Sequence, residues 1–203
     1  MFFNHLVRSI KPESYVLEIG PGSTPHPQSD IYLELKTSAK EAKSQRGNLA
    51  KIKYSKPVIY YGGGKFPFKD KEFDYVICSH VLEHVPDLRQ FLNEVFRISP
   101  KGYFEYPTII YEYLYNFRVH LNLLWYSRGC LYFLKKDSTS LTDFQPVQDV
   151  LLKSLVRGHD EIVTSLTNIM FQGFEWRRKF KTREVKTIKA LTPKVKIEAK
   201  ANH

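Results

Sequence analysis

Apolar residues fall into short runs separated by polar loops, and their spacing alternates between a strand period and a helix period. Tyr15 to Ile19 and Ile31 to Leu35 are brief apolar runs interrupted only by Glu18 and Glu34, a pattern that fits buried parallel strands. Pro57 to Tyr61, Phe73 to Ser79 and Gly102 to Tyr106 supply three more runs of the same kind. Between the last two, Asp87 caps a predicted helix ending at Ile98, whose positions Leu88, Phe91, Leu92, Val95, Phe96 and Ile98 recur at helical spacing. Ser99-Pro100-Lys101-Gly102 stops that helix. A short helix is expected over Phe2 to Ile10 and a polar, exposed one over Thr37 to Lys51. Only the stretch from Gly20 to Asp30, with three prolines, joins the first two strands, so the usual crossover helix must be vestigial or absent.

Beyond the fifth strand the pattern changes. Residues 107–136 are rich in aromatic side chains, and Leu121 to Tyr126 with Cys130 to Leu134 flank Ser127-Arg128-Gly129, which predicts a hairpin. Asp143 to Arg157 reads as a helix with Val147, Val150, Leu151, Leu155 and Val156 on its apolar side. The region from Glu161 to Ile188 is expected to hold the final antiparallel strands, with Phe174, Trp176 and Phe180 facing inward.

Length and composition bound what the chain can be. With 203 residues, 42% of them hydrophobic, it can bury one good core, and a single domain over residues 1–191 with a basic, flexible tail over 192–203 is the expectation. No run approaches the ~20 apolar residues that span a bilayer, and the N-terminus lacks the start of a secretion signal, so a cytoplasmic protein is expected. Cys78 and Cys130 make no disulfide framework. The net charge of +10 is concentrated at one end: from Trp176 to His203 ten Lys and Arg stand against Glu184 and Glu198. Such a run is more often a solvated face than a nucleic-acid contact, which leaves nucleic acid as a partner that is not favoured.

The candidate chemistry centres on Glu18-Ile19-Gly20-Pro21-Gly22. Glycines after a buried strand let backbone approach a ligand closely, and Glu34, ending the next strand, falls where a carboxylate can bond the two hydroxyls of a ribose in an open α/β sheet. A dinucleotide is disfavoured, because Pro25 occupies the place of the third fingerprint glycine.

Glu-x-Gly-x-Gly instead resembles the first motif of class I S-adenosylmethionine-dependent methyltransferases, and the Pro-x-Pro after it is similar to small members related to the ubiquinone and menaquinone methylating enzymes. Four further pieces carry the resemblance at family spacing: Phe66-Pro67-Phe68-Lys69-Asp70, Phe73-Asp74-Tyr75-Val76, Leu82-Glu83-His84-Val85, and Arg97-Ile98 before Pro100-Lys101-Gly102. The resemblance implies a Rossmann-like, doubly wound and mostly parallel sheet, with a shortened first crossover and an aromatic hairpin insertion after the fifth strand. It implies S-adenosylmethionine as cofactor and methyl transfer to a small-molecule or carbohydrate-like acceptor. By the same resemblance Gly20 and Gly22 lie under the methionine part of the cofactor, Glu18 near its amino group, Glu34 on the ribose, Phe66 beside adenine, and Ser79 with His80 below the sulfonium. Two departures stand out: Thr24 replaces the third motif glycine, and Gly62 stands where many relatives carry an acid for the adenine amino group.

His120 is the candidate catalytic base, a group able to exchange protons near neutral pH within the insertion that should face the acceptor; a purely structural histidine at the start of the hairpin is the competing view. His84 reads as a buried histidine fixing its loop. His80-Val81-Leu82-Glu83-His84 also matches the His-x-x-Glu-His pattern of zinc hydrolases, but it follows a buried strand, precedes Pro86 and has no obvious third ligand, so no metal is assigned. A non-catalytic binding protein on a degenerate methyltransferase fold is the remaining alternative.

Overall fold

A computed structural model describes residues 1–36 and 54–191. The expected helix from Thr37 to Lys51 and the basic tail over 192–203 lie outside the described residues. Nine strands are present among the described residues: β1 (Val16–Ile19), β2 (Ile31–Leu35), β3 (Val58–Tyr61), β4 (Tyr75–Ser79), β5 (Gly102–Pro107), β6 (Asn122–Ser127), β7 (Cys130–Lys135), β8 (Phe171–Trp176) and β9 (Lys181–Glu184). The helices are α1 (Leu88–Ile98), α2 (Ile109–Tyr115) and α3 (Gln145–Met170).

The main sheet runs β3-β2-β1-β4-β5-β8, parallel except for β8, which pairs antiparallel with β5. This is the α/β, Rossmann-like arrangement, and the strand order reverses between β1 and β4. Period-two alternation divides the sheet into two faces. Leu17, Ile19, Leu33, Val76, Cys78, Phe104 and Tyr106 pack on one side against Leu88, Leu92, Val95 and Ile98 of α1. Val16, Tyr75, Ile77 and Tyr103 face the other way, toward Phe3, Tyr111, Tyr115, Met170 and Phe171. On that second face the positions at the carboxyl ends of the strands change from apolar to polar, to Glu18, Glu34, Ser79 and Glu105. A switch point where strand order reverses is where open α/β sheets bind ligands.

Several expectations are corrected. Phe2 to Ile10 forms only a 3₁₀ turn at Asn4–Leu6. Its amides are drawn to carboxylates instead: Phe2 and Phe3 donate to Glu105, and Arg8 and Ser9 to Glu175. The helix expected over Asp143 to Arg157 starts near its expected place but continues to Met170, where a strand was expected. No proline falls within 147–170, and Gly158 alone costs about 1 kcal/mol, too little to stop it. Of its expected apolar face, Val147, Val150 and Leu151 are exposed, while Gln148 is buried. Asn116, in the left-handed conformation at the end of α2, donates to both Gln145 and Gln148 at 2.9 Å and turns that polar side inward. Finally, β9 does not extend the main sheet; it pairs parallel with β7 in a separate three-stranded sheet, β6-β7-β9.

The hairpin was legible. β6 and β7 pair antiparallel from Ser127↔Cys130, and Arg128 (φ 49°) and Gly129 (φ 73°) both take the positive φ that a tight two-residue turn requires. Arg97 of α1 fixes the loop before β4, bonding Glu94, Asp70 and the carbonyls of Phe66 and Phe68.

Candidate active site

Gly20 and Gly22 follow β1 with φ of 62° and 59°. A Cβ on Gly20 would meet Val81 Cγ2 at 2.6 Å, so bare backbone is needed for the turn to pass beside the end of β4. A Cβ on Gly22 would meet nothing within 4 Å among the described residues, which leaves this side of the turn open to a ligand.

Glu18, one residue short of the end of β1, is buried. Its Oε2 accepts from the His26 amide at 2.9 Å and the Ser29 hydroxyl at 2.7 Å, which closes the helix-free crossover onto the strand. Burial pushes its carboxyl up to about 7, against those hydrogen bonds and the nearby amino terminus. Glu34 is buried at the corresponding end of β2, on the same face of the sheet.

Ser79 ends β4, and His80 follows in the left-handed conformation (φ 56°). The Ser79 hydroxyl donates to Glu105 Oε1 at 3.0 Å, and His80 Nε2 lies 3.1 Å from the same oxygen. His80 Nδ1 is 3.3 Å from Glu83 Oε1. Burial alone would lower the His80 pKa, but its hydrogen bond to Glu105 and the adjacent Glu83 carboxylate raise it to about 9. Glu105 is fully buried and also takes the Tyr103 hydroxyl at 2.6 Å. His80 is therefore an imidazolium at neutral pH, flanked by two carboxylates.

Phe66 does not share this space. It is 1% exposed, its ring packs edge-on against Tyr61 and Phe91, and its amide donates to Glu94. His120 lies in the connection between α2 and β6, with its side chain 10% exposed, its Nδ1 bonded to Glu112 and its ring 4.7 Å from that of His84. The zinc-hydrolase pattern is not assembled as written, because His80 turns to Glu105 while His84 turns to His120. Sequence reasoning missed Glu105, whose place at the end of the fifth strand, on the face shared with Ser79, was the available signal.

The residues present fit S-adenosylmethionine at its methionine and ribose ends. Two acids, Glu18 and Glu34, stand beside a glycine turn that is open at Gly22, and an ammonium and two ribose hydroxyls are the groups such acids bind.

Residues 28–105 match the family described as methyltransferase domain, a span that includes Glu34, Phe66, Ser79 and His80 and begins after the glycine turn. No curated protein matches the sequence. Among solved structures, the chain is similar to an S-adenosylmethionine-dependent methyltransferase from Thermotoga maritima at 24% identity, covering 52% of this chain and 49% of that one with a TM-score of 0.36. A Pyrococcus horikoshii protein aligns at 19% identity over 59% and 65% of the two chains, with a TM-score of 0.40. An S-adenosylmethionine-dependent methyltransferase from Mesorhizobium loti aligns at 15% identity over 81% and 91%, with a TM-score of 0.44. The chain spans about half the length of the first solved structures it matches. Among the described residues no helix is long and apolar enough to cross a membrane. Over residues 28–105, the chain is similar to the methyltransferase domain family.

Proposed function

We propose that this chain binds S-adenosylmethionine at the β1–β2–β4 switch point and transfers its methyl group to a small-molecule or carbohydrate-like acceptor. The observation that carries the reading is the gathering of Glu18, Glu34 and Ser79 on one face of the sheet around a glycine turn of positive φ. S-adenosylmethionine, when bound, supplies an electrophilic methyl group on a sulfonium. The chain's contribution is to bind, align and exclude water, because an in-line displacement gains most from orientation. Glu18 binds the ammonium, Glu34 the ribose hydroxyls, and Gly20 and Gly22 let backbone lie against the methionine part. Around His80, two carboxylates and one imidazolium leave one negative charge in excess, which is complementary to a sulfonium. Phe66 lies in the core, so the adenine falls to main-chain groups near Gly62 to Lys65.

Calorimetry with S-adenosylmethionine and S-adenosylhomocysteine tests the reading. Micromolar binding of both supports it. Silence with both overturns it, and salt-sensitive retention on nucleic acid in that case would point to a binding module instead.

A further inference from the structure

Beside the cofactor face, three side chains meet, of which the methyl-transfer reading uses only the charge of Glu83. Glu83 and His84 come from the 3₁₀ turn Leu82–His84, and His120 from the segment leading into β6. The two pieces of chain are stitched together by backbone: Leu121 N–H donates to the Glu83 carbonyl at 2.6 Å, and Asn122 Nδ2 donates to the carbonyls of Leu82 and Val85 at 2.9 and 2.7 Å. Their relative positions are therefore set by the fold.

Each histidine is anchored through one ring nitrogen. His84 Nδ1 donates to the Val119 carbonyl at 3.0 Å. His120 Nδ1 bonds Glu112, whose second oxygen accepts from Lys136 Nζ at 2.9 Å. A proton held on Nδ1 leaves the Nε2 lone pair of each ring for a ligand bond, and an outer partner on the far nitrogen is the usual setting of a metal-binding histidine. The rings lie 4.7 Å apart at 79°.

Glu83 supplies the charge. Its side chain is 1% exposed, and neither carboxylate oxygen has a hydrogen-bond partner among the described residues. Its contact with His80 Nδ1 at 3.3 Å is an ion pair without hydrogen-bond alignment. His80 offsets its charge, but two buried oxygens without aligned donors cost free energy until a donor or a metal ion completes them. One ligand atom from each of Glu83, His84 and His120 lies within 4.8 Å of the others. Around a tetrahedral ion with bonds of about 2.0–2.1 Å, ligand atoms stand roughly 3.3 Å apart, so side-chain torsions must close the group by up to about 1.5 Å.

We propose that Glu83, His84 and His120 form a binding site for one divalent transition-metal ion of the zinc type, with a fourth position left for water. Two imidazoles and a carboxylate suit zinc or cobalt, whereas magnesium and calcium prefer all-oxygen cages and copper(I) prefers sulfur. In this assignment His120 is a ligand held in place by Glu112, and His80 remains outside the set. The inference does not depend on cofactor binding.

The test uses the full chain, stripped with chelator and titrated with Co²⁺ in the absence of S-adenosylmethionine. One equivalent giving the visible absorption of a four-coordinate ion, displaced by Zn²⁺, is expected. His84→Gln and His120→Gln should abolish the absorption, Glu112→Gln should weaken binding by about 10–100-fold, and the exposed control His5→Gln should leave it intact. Absence of the absorption in the wild-type chain, or its persistence in both histidine variants, overturns the site. Should the variants fail to fold, zinc-edge X-ray absorption of the wild-type protein decides: two imidazoles with oxygen support the assignment, and sulfur ligation or fewer than two imidazoles refutes it.

Discussion

His80 and Glu105 are joined twice: His80 Nε2 lies 3.1 Å from Glu105 Oε1, and the His80 amide donates to the Glu105 carbonyl at 2.8 Å. The side-chain contact brings an imidazolium and a buried carboxylate together at the end of the β4–β5 pair, and the backbone contact continues that pair one residue beyond Ser79.

Burial alone would raise the Glu105 pKa, but His80, the Tyr103 hydroxyl and the Phe2 amide hold it at about 2. A folded-state pKa below the ordinary 4.5 contributes stability that is fully present above about 4.5 and is lost as pH falls toward 2. The loss should be about 2–3 kcal/mol. Urea midpoints at pH 5 and pH 2.5 measure it. Glu105→Gln should lower the midpoint at pH 5 and flatten the change between the two.

Glu34 ends β2 on the polar face, so Glu34→Ala should weaken S-adenosylmethionine binding by about 1–3 kcal/mol through loss of a charge-assisted bond to the ribose. Calorimetry reads the change, and an unaltered dissociation constant would remove Glu34 from the site.

Lys136 and Glu112 form a buried ion pair at 2.9 Å. Lys136→Met leaves the Glu112 carboxylate with His120 as its remaining side-chain partner in this cluster and should destabilise the fold by about 3–5 kcal/mol. Adding Glu112→Leu should recover much of the loss, because no buried charge is then unpaired. Equal instability of the single and double variants would show that packing, not charge, is decisive.

Gly20→Ala places a Cβ 2.6 Å from Val81 Cγ2 in a left-handed backbone, where strain costs roughly 1–2 kcal/mol. Val81 must move, and His80 directly precedes it in the chain. Cofactor affinity should therefore fall more than thermal stability does, whereas Gly22→Ala, with open space around its Cβ, should affect stability only through its φ.

The main sheet was legible because its strands are local apolar runs, and register then places Glu18, Glu34 and Ser79 together without further information. What depended on distant partners was not legible. The N-terminal segment has helical spacing, but its amides are claimed by Glu105 and Glu175, more than a hundred residues away. The side of α3 that docks was misjudged because Asn116 selects Gln148 over the apolar residues. Phe66 carries a family motif, yet edge contacts with Tyr61 and Phe91 fix its ring in the core. His120 stood out by residue type, but its neighbours Glu83 and His84 are more than thirty residues earlier, and only folding brings them together.

Glu18 makes the site sensitive to pH in a direction set by its burial. Desolvation raises its folded-state pKa from 4.5 to about 7, with the Ser29 hydroxyl and His26 amide opposing the rise. In the free protein the corresponding stability is fully present below 4.5 and is lost as pH rises through 7. An ammonium bound at Glu18 favours the carboxylate and pulls the pKa down, so binding near pH 6.5 must release a proton. An α-amino group stays largely charged below its own pKa of about 7.7–8.0, which leaves Glu18 as the group that limits affinity at lower pH. Affinity for S-adenosylmethionine should rise severalfold, up to about tenfold, between pH 6 and pH 7.5. Calorimetry at pH 6.5 in buffers of different ionisation enthalpy reports the released proton directly. Ser29→Ala removes a bond to the charged form and should shift the rise to higher pH, while Glu18→Gln should abolish both the rise and the proton release. Affinity that is flat across this range, with no proton released by the wild-type protein, would mean that the ammonium is bound elsewhere.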